Sequence, residues 1–268
     1  MKLSVSLLLI LIIFLFYSCS EESLLMRETR EISLSTDTIE ILEVSGGDGE
    51  LYITGLPDLK EIKTRAEILY PVTVEELGGG ESQDNLLKDL FLSLEKRGNR
   101  AVLVSGFRES FFLFRLFSPG GRRAIHLDVQ IPVGIDTNIK DNSGDIYLAG
   151  LEGDVIINHG LGSITAKDMA GDIEIEDEDG DILIEDLEGN IKIRDSSGDI
   201  GIKKVKGNIE IVDDKGEILI GSVTGNIYIT DSTGSISVEN VEGDLRIVGA
   251  GKGSVRLVDI NGRILQNY

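Results

Sequence analysis

The sequence predicts an all-β fold, a single-stranded parallel β-solenoid (β-helix) with an irregular, strand-rich N-terminal part. The first observation is a glycine at every ninth residue of the C-terminal half, with one residue added before the last two glycines. These glycines are Gly144, Gly153, Gly162, Gly171, Gly180, Gly189, Gly198, Gly207, Gly216, Gly225, Gly234, Gly243, Gly253 and Gly262. A fixed short period is typical of a solenoid, in which each repeat buries its apolar face only against its neighbours.

The second observation is the pattern of side chains within one repeat. With glycine counted as position 1, positions 3 and 5 are apolar in almost every repeat, as in Ile146 and Leu148. Apolar, mostly β-branched residues two apart and flanked by polar ones predict a short strand with one buried face. The glycine predicts a corner between strands, where the backbone needs a positive φ or a close approach.

The third observation is a longer period at position 8. This position is apolar only in alternate repeats, at Leu151, Met169, Leu187, Val205, Val223 and Val241. The alternation predicts 9-residue half-coils, two of which form an 18-residue coil; a 27-residue coil of three strands is the disfavoured alternative. About seven coils at roughly 4.8 Å each give a rod of roughly 30 Å. Asn190, Asn208 and Asn226 lie 18 residues apart at position 2 and are predicted to stack as a ladder.

The beginning of the chain predicts export. Residues 1–18 read as a signal peptide, because Met1 and Lys2 precede an apolar run that is short for a membrane span. The chain's single cysteine, Cys19, ends this segment and resembles the lipobox cysteine of bacterial lipoproteins. The resemblance implies cleavage before Cys19 and lipidation of Cys19. Phe16 and Tyr17 depart from the usual lipobox residues, so an ordinary secretory signal is the alternative.

The remaining chain is predicted to form a tether over 19–37 and one β-solenoid domain over 38–268. Within that domain, 38–140 holds irregular coils with an insertion and 141–268 holds the regular coils. A segment with five of the chain's eight phenylalanines interrupts the irregular part. We expect it either to cap the N-terminal end of the solenoid or to contact a membrane or partner. Its members are Phe107, Phe111, Phe112, Phe114 and Phe117.

Recurring short units carry a family resemblance. Ser143-Gly144-Asp145-Ile146 and Ser197-Gly198-Asp199-Ile200 repeat one unit, and Gly189-Asn190-Ile191 is one of three copies of another. Together with an Ile-Pro-Val-Gly strand exit at 131–134, they resemble the bacterial putative-adhesin domain of unknown function, a relative of the head GIN domain. The resemblance covers about residues 30 to 268 and implies a parallel β-solenoid exported to the cell envelope. It brings no catalytic motif with it.

Charge and motif content exclude several classes of function. The formal net charge is −21, and residues 141–268 alone hold 26 acids and 11 bases. Such a surface repels phosphate backbones, so we expect no nucleic-acid partner. The strict glycine spacing leaves no insertion to build a cleft, and no cluster surrounds His126 or His159. We therefore predict no catalytic residue, no cofactor and no enzymatic activity.

Acidic residues suggest calcium but do not form a known calcium motif. Six acids fall between Glu174 and Asp181, yet no repeat has the paired-glycine turn of calcium-binding β-rolls. Aspartates at position 7 form a column 18 residues apart. They are Asp177, Asp195, Asp213 and Asp231. We expect each carboxylate to accept its own turn amides and to be solvated, which makes the like charges tolerable.

The sequence therefore favours a non-enzymatic, exported, lipid-anchored structural or adhesin-like interaction element of a bacterial cell envelope. The expected partners are the membrane, through the anchor, and an envelope protein or surface ligand. One alternative is an accessory or sensor subunit that docks an envelope membrane protein. A second alternative is a Ca²⁺-dependent surface-binding module.

Overall fold

The computed structural model describes residues 23–73, 87–108, 123–249 and 253–267. Within these ranges the chain contains β-strands and turns but no helix, and the strands form two 11-stranded sheets. The predicted all-β parallel solenoid of about seven 18-residue coils is confirmed. The described part of the chain therefore also lacks any helix that could cross a membrane.

Twenty-two strands make up these sheets. The irregular part contains β1 (Ser23–Ser35), β2 (Ile41–Ser45), β3 (Leu51–Leu56), β4 (Glu61–Thr73), β5 (Leu90–Arg97), β6 (Arg100–Phe107) and β7 (Ala124–Pro132). The regular part contains β8 (Asp136–Ser143), β9 (Ile146–Ala149), β10 (Val155–Leu161), β11 (Ile164–Ala170), β12 (Ile173–Asp179), β13 (Ile182–Glu188), β14 (Ile191–Asp195), β15 (Ile200–Lys206), β16 (Ile209–Lys215), β17 (Ile218–Thr224), β18 (Ile227–Thr233), β19 (Ile236–Glu242), β20 (Leu245–Gly249), β21 (Val255–Asn261) and β22 (Ile264–Asn267).

Successive strands of the regular part alternate between the two sheets. Sheet I has the order β1-β4-β7-β3-β9-β11-β13-β15-β17-β19-β21, and sheet II has the order β22-β20-β18-β16-β14-β12-β10-β8-β2-β6-β5. Ile164 pairs with Ile182 in sheet I, and Ile173 pairs with Ile191 in sheet II, both in parallel. This register confirms the two-strand coil and rules out the 27-residue alternative.

The core is one continuous column of aliphatic side chains between the two sheets. Positions 3 and 5 of strands β8 to β20 are buried, and Ile175, Ile184 and Ile193 have no exposed surface. Each coil repeats this arrangement directly above the previous one, so identical side chains contact each other along the rod. Burial of these β-branched side chains is the main favourable term in the fold.

The two half-coils differ because of one backbone conformation. In sheet I, position 7 is left-handed, with φ between 53° and 60° in six successive coils. Its residues are Asp168, Asp186, Lys204, Ser222, Asn240 and Asp259. This conformation brings position 8 inward, so Leu187 and Val205 are buried. In strands β8 to β18 of sheet II, position 7 has no positive φ. In these strands position 7, and not position 8, points inward and is buried.

The first coil is inserted between two later ones. Strands β2 and β3 lie between β6 and β8 in sheet II and between β7 and β9 in sheet I, respectively. Leu51 pairs with Ile146 although 95 residues separate them in sequence. Each of the two residues stands at position 3, two residues after a glycine, so the pairing matches the repeat positions of the regular coils. The solenoid pattern around residues 49–56 thus belongs to a true coil, as its sequence indicates.

Antiparallel strands complete the N-terminal end, and they correct one prediction. The predicted tether over 19–37 is wrong for Ser23–Ser35, which forms β1 and pairs with β4 over its full length. Met26, Ile32 and Leu34 alternate with polar residues and pack against the core, so this segment has one apolar face. Strands β5 and β6 pair antiparallel and form a hairpin around Gly98.

Close contact between corners explains the glycine period. Gly216 has a φ of 150°, and a Cβ atom built on it would lie 1.7 Å from the carbonyl oxygen of Gly198 in the preceding coil. The same clash with the preceding corner recurs along the regular part. Any side chain at position 1 would therefore separate the coils or distort the corner.

We predict that Gly216→Ala lowers the free energy of unfolding by at least about 2 kcal/mol, because it combines backbone strain with a backbone clash. Gly221→Ala is the matched control, since a Cβ there would lie 3.5 Å from Cγ of Glu239. The control should be neutral or up to about 1 kcal/mol more stable. Urea unfolding measures both changes, and equal effects of the two substitutions would contradict the corner-contact explanation.

Candidate functional site

One concave surface is a groove on the outer face of sheet II. It has a volume of about 760 Å³ and follows the rod from Asp154 to Leu265. Positions 2 and 4 of consecutive sheet II strands line it, so its chemistry changes one coil at a time. This surface, called the sheet II groove below, is open along its length and does not enclose a buried chamber.

A ladder of Asp and Asn side chains forms one side of the groove. In each coil the Oδ1 atom of position 2 accepts a hydrogen bond from the backbone N–H of position 2 in the next coil. The residues that accept are Asp136, Asp154, Asp172, Asn190, Asn208, Asn226 and Asp244. The predicted asparagine ladder is therefore confirmed. It also includes the four aspartates that accept the same hydrogen bond in the other coils.

Position 4 supplies charged and aromatic groups to the same groove. Lys192 forms an ion pair with Glu174, as its sequence position predicts. One end of the groove contains Tyr228, with the Arg246 guanidinium carbon 5.3 Å from the ring centroid. Arg263 forms an ion pair with Asp244 at the last rung. The groove thus offers amide, carboxylate, guanidinium and aromatic groups in one line.

The outer face of sheet I carries a different pattern. Tyr52 and Tyr147 stack in parallel with ring centroids 4.6 Å apart, although they are far apart in sequence. Their hydroxyls donate to Glu50 and Asp145, respectively. Partial burial and these carboxylates raise the pKa of both tyrosines. The stack was missed from the sequence because the insertion of the first coil brings Tyr52 beside Tyr147.

The position-7 column of sheet II is buried, which corrects the expectation that it is solvated. Its members are only 1% to 5% exposed. They are Asp141, His159, Asp177, Asp195, Asp213 and Asp231, each one coil from the next, and we call them the inner column. Asp141 and His159 were missed, although they lie 36 and 18 residues before Asp177, which continues the 18-residue spacing of the column.

One oxygen of the inner aspartates caps the turn, and another has no partner. Oδ1 of Asp195 accepts from the Ser197 N–H, and Oδ1 of Asp213 accepts from the Lys215 N–H, as expected. The Oδ2 atoms of all five aspartates are buried without a hydrogen-bond partner, as is Oδ1 of Asp231. Two ionised carboxylates one coil apart, at about 4.8 Å, would repel by roughly 3 kcal/mol at an effective dielectric constant of about 20.

Burial favours the protonated form of Asp141, Asp195, Asp213 and Asp231. It raises the pKa of Asp141 and of Asp195 to about 7, and the pKa of Asp213 to about 6. The pKa of Asp231 is also raised by burial. Nearby turn amides favour ionisation, but they do not offset the loss of water around the carboxyl groups.

Both histidines have hydrogen-bond partners. His159 Nδ1 lies 2.8 Å from Asp177 Oδ1, and His159 Nε2 lies 2.8 Å from the Gly144 carbonyl oxygen. Burial disfavours the charged imidazole, but the hydrogen bond to Asp177 and its charge outweigh burial, so the pKa of His159 is raised. His126 Nδ1 accepts from the Glu50 backbone N–H at 3.0 Å. Within the described ranges, the hydrogen-bond partners of both histidines are backbone groups and a carboxylate.

The acid-rich stretch of β12 does not converge on one point. The strand alternation buries Asp177 and exposes Glu176 and Glu178. Across the described ranges, no three His, Cys, Asp or Glu side chains are arranged to hold a metal ion. The geometry therefore gives no support to the calcium-dependent alternative.

Most of the predicted anchor and cap residues lie outside the described residues. These are Cys19, Phe111, Phe112, Phe114 and Phe117. Phe107, at the end of β6, is partly buried and packs against the core. The Arg123 guanidinium carbon lies 5.3 Å from the centroid of its ring. This one member of the phenylalanine-rich segment thus contributes to the core.

Comparisons with known proteins identify a family match. The model of the Toastrack DUF4097 family matches residues 81–256, which is more than half of the chain. This confirms the resemblance to the adhesin-like domain of unknown function. No curated protein matches the chain.

Solved structures give only distant likenesses. A putative lipid binding protein from Parabacteroides distasonis is 16% identical, with a TM-score of 0.35, over 90% of this chain and 97% of that one. A putative cell adhesion protein from Clostridium sporogenes is 11% identical, with a TM-score of 0.30, over 91% and 100%. A putative adhesin from Bacteroides fragilis is 14% identical, with a TM-score of 0.28, over 89% and 97%. The family assignment therefore rests on the family model alone.

We predict that Asn208→Ala lowers the free energy of unfolding by about 1 kcal/mol, because the Asn226 N–H loses its acceptor. Asn208→Asp is the matched variant, since aspartate accepts the same bond at Asp172 and Asp244. It should change stability by less than about 0.5 kcal/mol. Urea unfolding of both variants checks this, and equal losses would show that the ladder bond contributes nothing.

Proposed function

Because the chain belongs to the Toastrack DUF4097 family, we propose that it is a non-enzymatic, exported, lipid-anchored adhesin-like interaction element of a bacterial cell envelope. The observation that carries the proposal is the unbroken coil stack. Strands β8 to β20 pair in register without any insertion at their corners. Such a stack presents long outer faces and suits contact along a rod.

The described surface is better suited to binding than to catalysis. The sheet II groove is open, and its side chains are engaged in ladder bonds and ion pairs with neighbouring coils. Catalysis requires a nucleophile, acid or base beside a site that excludes water. Neither histidine is placed for this role, which supports a non-enzymatic function.

We place the contact surface in the sheet II groove, at the end that contains Tyr228 and Arg246. Aromatic and arginine side chains are enriched among residues that dominate binding energy, because they bury a large area and also donate hydrogen bonds. The stacked guanidinium holds both side chains in one arrangement before binding. The Asn226 and Asp244 rungs beside them add polar groups.

The anchor explains how such a rod would be held at a membrane. Cys19 directly precedes a short segment that leads to β1, the first described strand. A lipidated N-terminus attaches a protein stably when more than one acyl chain is present. The net charge of −21 would keep the rod itself away from anionic headgroups.

The alternative is an accessory or sensor subunit that docks an envelope membrane protein. Phe107 and Arg123 lie at the irregular N-terminal part, which would be the part nearest to the membrane. This alternative predicts a defined complex in the membrane rather than retention on an external surface.

To test the contact surface, the full chain is coupled to beads and exposed to immobilised matrix proteins and polysaccharides. We expect retention on at least one surface, and Tyr228→Ala with Arg246→Ala should weaken it about tenfold or more, as expected for a dominant contact. Leu219→Ala, on the exposed outer face of sheet I, is the control and should leave retention unchanged. A stoichiometric complex with one membrane protein, and no surface retention, would favour the accessory-subunit alternative.

To test the anchor, we predict that Cys19→Ala abolishes incorporation of a fatty-acid probe in the native host and releases the protein from membranes. Ser20→Ala is the matched control and should keep both labelling and membrane association. Labelling that is unaffected by Cys19→Ala would refute lipidation at this residue.

A further inference from the structure

The inner column places like charges where water cannot neutralise them. Its six side chains are spaced by one coil, about 4.8 Å, along the interior of the rod. The unpartnered Oδ2 atoms of its five aspartates are an observation separate from the column's composition. A buried carboxylate oxygen without a donor is costly when it is ionised, and much less so when the carboxyl group is protonated.

The charged groups around the column do not neutralise it. On its own strands, His159 lies between Asp141 and Asp177 and contacts the latter. Asp48, from another segment, approaches Asp141, and Asp214, the next residue on β16, approaches Asp213; both carry the same sign of charge. No lysine or arginine in the described chain forms an ion pair with any of the five aspartates. Only His159 can provide positive charge within the column.

We propose that the inner column is a proton-binding site of the rod, in which Asp195, Asp213 and Asp231 keep protons in mildly acidic solution, where exposed aspartates are already ionised, and weaken the coil stack when they ionise. The His159–Asp177 pair compensates its own charge, and Asp141 also lies near His159, so the three aspartates on the other side of the pair are the ones without a positive group nearby. The proposal concerns the interior and does not depend on the proposed binding function.

Linkage gives the direction of the pH dependence. The folded state keeps protons on Asp213 up to about pH 6 and on Asp195 up to about pH 7, whereas the unfolded chain releases them near about pH 4. Stability is therefore greatest near about pH 4 and falls as the pH rises to about 7. His159, whose pKa is also raised, loses its stabilising charge in the same direction.

Surface carboxylates affect the stability of the fold only at acidic pH. Lysine or arginine partners lower the pKa of Glu185, Glu188 and Asp244, so these groups lose stabilising interactions only in acid. They cannot produce a loss of stability between about pH 4 and pH 7. A decline in that window therefore reports on the inner column.

The test compares the full chain with the triple variant Asp195→Asn, Asp213→Asn, Asp231→Asn. For the unaltered chain, the folding equilibrium constant from urea unfolding should fall about 100-fold or more between pH 4 and pH 7, since Asp213 alone accounts for that factor. The triple variant should lose the share of this dependence that its three aspartates contribute, while Asp141 and His159 keep theirs. It should also melt at a higher temperature than the unaltered chain at pH 8, because asparagine can stack as it does in the outer ladder.

The matched control replaces three exposed acids of β12, Glu176→Gln, Glu178→Gln and Asp179→Asn. It changes the net charge by the same amount and should keep the pH dependence of the unaltered chain. A flat pH profile of the unaltered chain, or a control that behaves like the triple variant, would overturn the proposal.

Infrared spectroscopy keeps the proposal testable if the triple variant does not fold. At about pH 5.5, where exposed aspartates are ionised, the unaltered, folded chain should show the carbonyl stretch of protonated carboxylic acids, and this band should vanish on unfolding. Absence of the band at about pH 5.5 would overturn the proposal. Absence of the band together with stabilisation by added Ca²⁺ or Na⁺ would show that a cation, not protons, neutralises the column.

Discussion

The structure depends on one constraint, the in-register stacking of each coil on the previous one at the spacing of a parallel β-ladder. Ile175 lies over Ile193, and Gly216 lies over Gly198, because residues 18 apart share one place in the coil. Backbone hydrogen bonds fix the spacing, and the aliphatic column fixes the register. A residue type that suits one coil is therefore required again in the next.

The same constraint produces the polar columns. On the outer corner it aligns Asp and Asn side chains so that each accepts the N–H of the next coil, and every rung is satisfied. In the interior it aligns Asp195 with Asp213 and Asp231, and there the second carboxylate oxygen finds no donor. Register alone thus creates a stabilising ladder on the surface and a proton-dependent one inside.

Local and periodic features of the fold could be predicted from the sequence. The glycine period, the inward positions 3 and 5 and the alternation at position 8 each report a contact between adjacent coils. The left-handed residue at position 7 of sheet I explains that alternation, and four of the six are Asp or Asn, types enriched at positive φ, but Lys204 and Ser222 interrupt that signal. The pattern is visible in sequence, whereas its backbone cause is not.

Non-local features could not be predicted. The first coil lies between two later ones, which brings Tyr52 onto Tyr147 and converts the expected tether into strand β1. The burial of the inner column was misjudged because aspartate at a corner normally indicates solvent, and this corner points inward. The anchor at Cys19 and four of the five phenylalanines lie outside the described residues and stay predictions.

The most direct test of coil stacking is a distance between nitroxide labels attached to cysteines at Thr165 and Ser237, with Cys19 replaced by alanine. These residues lie four coils apart on the outer face of sheet I, through the pairs at 183, 201 and 219. Pulsed electron paramagnetic resonance should give a narrow distribution consistent with a backbone separation of about 19 Å. A broad distribution, or one centred far from that separation, would contradict 18-residue coils in register.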